Sequence, residues 1–458
     1  MEREERVRSL LAQFREEGIR RIRLGGCDID GIMRGKYISL AKFESAASKG
    51  FGFCDVIFGW DSADELYEGV DVKLTGWHTG YPDLHATIDL DSMRRVPWDN
   101  NTPFFLVDFH QPDGTLYPAS PRQVLQKIIR RGEGLGYTAR FAAEFEFYIY
   151  SETSHSVREK GYRALTPISP GMFGYSGLRS GTFSEMIAAI DEELGAFGIE
   201  VEGIHTETGP GVYEACVAHD TTLSAADQGF LFKAATKEIL VRRGMMPTFM
   251  AKPSKELPGS SGHVHQSLWS DGKPVFHDAA DPDGLSAVFR HYLAGLTELL
   301  PELMLMFCPT VNSYKRTVPG MWAPTTATWG IENRTTSLRV IRSESGKATR
   351  VENRLVGADM NAYLAFAASL GAGLYGIENK LTLGEPIEGN AYDKKADTAR
   401  PLPRTLGEAT TLFRHSKAAR AIFGDVFVDH YAATREWEMR QFDAAVTDWE
   451  VSRYFEII

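Results

Sequence analysis

The chain of 458 residues is 43% hydrophobic and 24% charged, enough apolar material for a large core and, at about 150 residues per domain, for roughly two or three domains. Its formal net charge of -11 excludes general affinity for nucleic acid or anionic membranes, because those partners select clustered Lys and Arg. Cys27, Cys54, Cys216 and Cys308 lie far apart with no CxxC spacing, which excludes a disulfide framework and a cysteine zinc site.

The opening "MEREERVRSLL" is charged instead of apolar, and no run of about 18 apolar residues follows. The expectation is therefore no signal peptide, no spanning helix and a cytoplasmic protein. Val7, Leu10, Leu11 and Phe14 recur at helical spacing before Gly18, which predicts an amphipathic helix over 3–17. "IRRIRL" and "GKYISL" flank the turn-rich "GGCDIDGIMR", and "DLHATIDL" follows. The first hundred or so residues thus read as a small sheet with one helix, and the turn-rich "VPWDNNTP" marks a place where a domain could end. Beyond it, Ser120 and Pro121 occupy the cap and first position of a helix with Val124, Leu125, Ile128 and Ile129 on its apolar face. Ser224 and Asp227 form a capping-box pattern ahead of "GFLFKAATKEILVRR". Strands and helices alternate irregularly, which predicts an α+β fold without internal repeats.

Five segments carry chemistry. In "RFAAEFEFYIY", period-two alternation puts Glu144 and Glu146 on one face with Ala142 and Tyr148. Two acids on an apolar strand need a cation, unless the strand is a solvated edge. "VEGIHTETGPGVYEACV" reads as a hairpin turning at 208–211, with His205 and Glu207 on one face and Glu214 returning beside them. Such oxygen-rich sets suit Mg or Mn, not zinc. "GSSGHVHQSLW" places His263, His265 and Ser267 on one side of a strand that leaves a glycine-rich turn. "TRVENRLV" then aligns Arg350, Glu352 and Arg354, and "ENRTTSLR" adds Arg334 and Arg339. Arginines gathered with acids point to an anionic substrate and a transferring phosphoryl group.

Taken in order, "AEFEF", "HTETGPGVYE", "KPSKELPGSSGHVHQSL", "PTVNSYKRTVPGMWAP" and "NRTTSLR" with "RVENR" resemble the motifs of the glutamine synthetase family over nearly the whole chain. The resemblance implies an N-terminal β-grasp domain (1–112), a catalytic domain (113–458) whose curved antiparallel sheet forms a funnel, and a homododecamer of two stacked hexamers with shared sites. It assigns Glu146, Glu207 and Glu214 to a first divalent ion and Glu144, His263 and Glu352 to a second, Mg or Mn. Arg334 and Arg339 match the phosphate-holding arginines that stabilise transfer, with His265, Ser267, Lys347 and Arg350 at ATP. Glu146, Gly259, Arg316 and Arg354 match positions that hold glutamate.

The chain also departs from that pattern. Where the family's loop carries a glutamate that takes a proton from the ammonium-derived nitrogen, "VPGMWAP" supplies Trp322. An indole is no general base, but it packs against carbon and its face attracts cations. The neighbouring-subunit acid that binds ammonium has no clear counterpart in "FCDVIFGWDSADELYEG". Asp61 or Asp64 is the expected replacement and base, with Phe58 and Trp60 as amine walls. Val212 stands where ammonia-using members carry Gln, and "ADTARPLPRTLGEA" lacks the tyrosine signature some members use for adenylylation. The expected activity is ATP-dependent ligation of glutamate to a primary amine, small alkyl or aryl amines before ethanolamine or a polyamine. The alternatives are glutamine synthesis from ammonia and an inactive structural or regulatory ring.

Overall fold

The computed structural model describes residues 2–393 and 400–458. The first four residues of "ADTARPLPRTLGEA", 396–399, lie outside the described residues.

The chain opens with α1 (Glu2–Glu16), β1 (Arg21–Cys27), β2 (Met33–Ser39), α2 (Leu40–Lys49), β3 (Phe51–Cys54), β4 (Asp83–Ile88), β5 (Arg94–Val96) and β6 (Thr102–His110). The strands form one sheet in the order β2-β1-β6-β4-β3, with β5 on β6; β1 and β6 run parallel and the other pairs antiparallel. Two helices cover it, not the single one expected. α2 begins at Ser39, whose side chain accepts from the Lys42 N–H, and buries Phe43, Ala46 and Ala47. "VPWDNNTP" is no boundary either. It holds the connection from β5 to β6, so the sheet continues to His110. Phe14, Phe43 and Phe105 pack together at centroid separations of 5.2–6.4 Å and seal this sheet's core.

The larger part follows with α3 (Pro121–Gly134), β7 (Thr138–Tyr150), α4 (Ser154–Glu159), α5 (Gly177–Thr182), α6 (Ser184–Ala196), β8 (Val201–Thr206) and β9 (Val212–Val217). Next come β10 (Asp220–Thr221), α7 (Thr222–Val241), β11 (Met246–Thr248), β12 (Gly262–Ser270), β13 (Lys273–Pro274) and α8 (Ala287–Phe307). β14 (Thr326–Ala327), β15 (Trp329–Ile331), β16 (Leu338–Ile341), β17 (Arg350–Asn353), α9 (Ala362–Glu378) and β18 (Arg400–Pro401) precede four closing helices: α10 (Leu406–His415), α11 (Lys417–Phe423), α12 (Asp425–Ala444) and α13 (Asp448–Tyr454).

The main sheet runs β15-β16-β17-β12-β7-β9-β8, with short strands on β7 and β12. All pairs along this path are antiparallel except β15 with β16. β7 is thus central, and its acidic face is not a solvated edge. Phe141, Ala143, Phe145, Phe147 and Ile149 are buried against the helices, while Glu144 and Glu146 turn to the other face half-buried. The capping-box reading of Ser224 and Asp227 fails because α7 starts two residues earlier, at Thr222. Ser224 donates to Asp220 instead, and Asp227 accepts from Arg122 and Tyr363.

Arg122 joins the two parts. Buried on α3, it donates to Asp227 of α7 (2.8 Å), Asp108 of β6 (2.9 Å) and Asp89 beyond β4 (2.6 Å). Three carboxylates around one guanidinium satisfy its fork and tie both sheets to one helix.

Candidate active site

Strand register assembles the site. Across the main sheet, Arg339 of β16 faces Glu352 of β17, and Glu352 faces His265 of β12. One step along, His263 of β12 faces Glu144 of β7, which faces Cys216 of β9. Glu146 of β7 then faces Glu214 of β9, which faces His205 of β8. Side chains directly opposite in neighbouring strands lie on one face with Cβ atoms about 5 Å apart. Residues more than two hundred positions apart therefore meet because each strand alternates in phase with its neighbour.

The donor atoms converge as that register requires. Three sets have ligand atoms within 4.8 Å of one another: Glu144, His263 and Glu352; His205, Glu207 and Glu214; and Glu144, Glu214 and Cys216. His263 Nδ1 lies 2.8 Å from Glu144 and 3.3 Å from Glu352, while its buried Nε2 has no partner among the described residues. An orphaned imidazole nitrogen beside two carboxylates fits a divalent cation. The second set brings in His205 beside Glu207 and Glu214, with Glu146 directly opposite Glu214 on β7. His205 Nε2 is 3.0 Å from Glu214 and its Nδ1 3.7 Å from Glu207, whereas Glu146 accepts from the Ser261 N–H at 2.7 Å and lies outside all three sets.

Charge crowding marks the same place. Burial pushes Glu146 up to about 7, against the pull of the Ser261 N–H. Burial likewise lifts Glu214 to about 7, opposed by His205, and the Glu214 carboxylate raises His205 to about 9. For Glu352 burial is outweighed by His263 and Arg354, which hold it at about 2. Buried acids packed this closely resist joint ionisation, and bound cations relieve that cost.

Four of the expected nucleotide residues line one cavity, and Arg334 and Arg339 are not among its walls. It measures about 330 Å³ and is lined by Glu144, His265, Ser267, Lys347 and Arg350, with Arg140 and Trp269. Arg350 Nε lies 3.3 Å from His265 Nδ1. Arg339 donates to Glu352 and Glu332, while Arg334 is exposed. Among the described residues Arg316, 2% exposed, donates only to carbonyls and the Ser261 hydroxyl and leaves Nε unpaired. A buried guanidinium that forms no direct ion pair among the described residues fits an anionic ligand. Gly259 permits this placement, since a Cβ there would stand 2.7 Å from the Ala251 carbonyl and closer still to the Arg316 side chain. Arg354 bonds Glu352 and the Arg334 carbonyl.

Trp322 is 67% exposed with φ +59°. A left-handed backbone costs a bulky residue about 1–2 kcal/mol, and such outliers cluster at functional sites. Other amine-pocket expectations need correction. Phe58 is wholly buried, packed on Phe109 and Tyr117 at 5.4 and 5.0 Å, so it can wall no pocket. Trp60 is half-buried beneath the Arg34 guanidinium, 5.0 Å away. Asp61 accepts from the Ala63 and Glu65 N–H groups and from Trp437, which occupies both of its oxygens. Asp64 is more open and pairs with Arg34 at 2.7 Å.

Two lining residues, Arg140 and Trp269, and Tyr392 beside the Trp322 loop were not predicted from the sequence. Arg140 lies in phase with Glu144, and Trp269 in phase with His265, so period two carried their signal. Tyr392 carried none. Its hydroxyl donates to the Ala323 carbonyl at 3.0 Å, next to Trp322, from sixty-nine residues away.

Comparison with known proteins agrees with this geometry. Residues 118–454 match the glutamine synthetase catalytic domain. A type-1 glutamine synthetase 2 of Dictyostelium discoideum is 50% identical over 95% of this chain and 84% of its own length. A glutamate-isopropylamine ligase of a Pseudomonas species is 44% identical over 95% of both chains. A gamma-glutamylethanolamide synthetase of Streptomyces coelicolor is 39% identical over 94% and 91%. Among solved structures, a GmaS/ADP complex superposes with a TM-score of 0.83 at 26% identity, covering 97% of this chain and 99% of that one. With its catalytic-domain match and its paired donor sets, this chain belongs to the glutamine synthetase family of ATP-dependent ligases.

Proposed function

We propose that the protein joins glutamate to a primary amine carrying an alkyl or aryl substituent, giving a γ-glutamylamide, ADP and phosphate. The observation that carries the reading is Trp322, an exposed indole held in left-handed backbone where family members that use ammonia place a carboxylate. Two of the relatives, the isopropylamine ligase and the ethanolamide synthetase, bear names of this reaction class; the Dictyostelium relative bears the ammonia name. The paired donor sets support the activation step.

In this reading His263, Glu144 and Glu352 would hold one divalent cation and Glu146, Glu207 and Glu214 a second, with His205 paired to Glu214 beside them. Such cations, when bound, neutralise the repulsion between the triphosphate and the glutamate side chain. Arg316 grips a glutamate carboxylate with its unpaired Nε, and Arg354 orients Glu352. Arg334 and Arg339 offset charge on the transferring phosphoryl group, while His265, Ser267, Lys347 and Arg350 line the nucleotide cavity. The γ-glutamyl phosphate so formed must be kept from water until the amine arrives, and the Trp322 segment covers it. An alkylammonium, with a pKa near that of lysine at about 10, must lose a proton before attack. Asp64 serves this better than Asp61, whose oxygens are taken. The acid would come from a neighbouring chain in a dodecamer of stacked hexamers, each chain divided into an N-terminal β-grasp domain, 1–112, and a catalytic domain, 113–458.

Phosphate release with ATP, Mg and glutamate, measured across ammonium and a panel of primary amines, tests the reading. The expected result is saturable turnover with an alkyl or aryl amine at a kcat/KM at least about tenfold above ammonium, equivalent to roughly 1.4 kcal/mol. Ammonium as the best nucleophile would overturn it.

A further inference from the structure

The nucleotide cavity takes much of one wall from a single loop. Residues 342–349 connect β16 to β17 and bring Lys347, Ala348 and Thr349 to the cavity, with Arg350 following on β17. Inside the loop, the Gly346 N–H donates to the Ser343 carbonyl at 2.9 Å and the Thr349 N–H to the Gly346 carbonyl at 3.3 Å. The Ser343 N–H donates to Thr349 Oγ1 at 3.2 Å. Those bonds shape the loop internally. They do not fix where it stands relative to the cavity, which needs a contact from outside.

That contact comes from His277. Gly346 is buried at φ +72°, and a Cβ there would stand 2.6, 2.7 and 2.8 Å from Cδ2, Cγ and Cβ of His277. The Gly346 backbone therefore lies against the imidazole more closely than any residue with a side chain allows. Gly284, at φ +71°, flanks the same ring, and a Cβ there would stand 3.4 Å from its Nδ1 and Cε1. Two left-handed glycines thus meet one flat ring.

His277 is itself firmly based. It follows Phe276, which is wholly buried and stacks on Phe289 of α8 with centroids 4.1 Å apart and planes inclined by 14°. It pairs with Leu285 in an isolated bridge. The turn between them is held by Asp281, which accepts from the Asp283 and Leu285 N–H groups and from Arg290 of α8. From that turn the Asp283 carbonyl accepts from Arg342 at 3.4 Å, at the start of the nucleotide loop. A lobe anchored on α8 therefore supports the loop at its first residue and again at its middle.

We propose that His277 is a positioning residue for nucleotide binding: its ring supports Gly346 and so sets where Lys347 stands in the cavity. The inference rests on the assignment of that cavity to ATP. A lysine ammonium acts on phosphate oxygens as a point charge whose attraction falls with distance, so a loop that sags without the ring holds ATP less well. The cation donors are fixed by strand register instead, and loss of the ring falls on the nucleotide.

Steady-state kinetics and calorimetric titration with Mg and a non-hydrolysable ATP analogue test this in the full-length protein. The variants are His277→Ala, His277→Phe, Gly346→Ala and the double variant of His277→Ala with Gly346→Ala. His277→Ala is expected to raise the KM for ATP and the Kd of the analogue about fivefold or more, with kcat and the KM for glutamate within about twofold. His277→Phe returns a flat ring and is expected to recover most of that loss. Gly346→Ala puts a methyl group where the ring stands and is expected to weaken ATP binding similarly. In the His277→Ala background the same change is expected to cost about threefold less, because the ring is gone while the strain of alanine at positive φ is common to both backgrounds and cancels. A fall in kcat with a rise in every KM alike would make the lobe a general prop and overturn the inference; so would additive effects of the two substitutions, or unchanged ATP affinity in His277→Ala. Failure of the wild type to bind the analogue, or unaltered affinity in Lys347→Ala, defeats the nucleotide assignment itself. Both outcomes are read without any His277 variant and are distinct from failure of the His277 assignment.

Discussion

Trp322 and His430 show how one side chain carries a testable consequence. Trp322→Glu restores the carboxylate that ammonia-using family members place in this loop, and it removes the apolar face from the amine. The ratio of kcat/KM for ammonium over amine is expected to rise about tenfold, the equivalent of roughly 1.4 kcal/mol from one charge contact. An unchanged ratio would take Trp322 out of the mechanism. His430 concerns stability instead. Burial in α12, with Arg435 nearby, pushes its imidazole down to about 4 from an ordinary 6.5. Unfolded chains take up this proton through pH 6.5 while the native protein does not. Stability is therefore complete above pH 6.5 and falls as pH drops toward 4, by about 3 kcal/mol for this group. Denaturant unfolding at pH 7 and pH 4.5 should show a smaller pH dependence in His430→Gln than in the wild type.

At the scale of elements, the site is a property of strand phase. β12, β7 and β9 each alternate in the sequence, and antiparallel pairing brings their polar faces onto one surface. The segment bearing Trp322 is tied down elsewhere, by the Tyr392 hydroxyl on the Ala323 carbonyl at 3.0 Å. Tyr392→Phe deletes that bond, worth about 1 kcal/mol. ATP hydrolysis in the absence of amine is expected to rise several-fold, because a looser cover admits water to the acyl phosphate; phosphate release without added nucleophile measures it. Elements were unevenly legible. The β7 alternation and the hairpin turn at Gly209 and Gly211, both at positive φ, follow from local chemistry. α2 did not stand out because its apolar stripe is only Phe43, Ala46 and Ala47, a weak signal beside the strand signals on either side.

For the molecule as a whole, the donor sets make a cation-dependent prediction. Mg with ATP should stabilise the protein against heat, by about 2.7 kcal/mol at a hundredfold excess over Kd. A chelator should remove the shift that ATP produces, and an ATP-induced shift of equal size without metal would contradict the assignment. Composition, motif order and alternation were enough to predict the α+β class, the family resemblance and His263, His265, Glu144, Glu146, Glu214 and Glu352 as polar residues on strand faces, because each rests on nearest-neighbour backbone geometry; Glu207, expected on the same strand as His205, lies just past the end of β8. Tertiary structure alone decided the rest. It buried Phe58 under Phe109 and Tyr117, occupied Asp61 with Trp437, brought His205 against Glu207 and Glu214, and laid Tyr175 over it. Those outcomes depend on which distant segments pack together. A side chain's pattern in sequence states which way it faces, but only the packed chain states what it meets there.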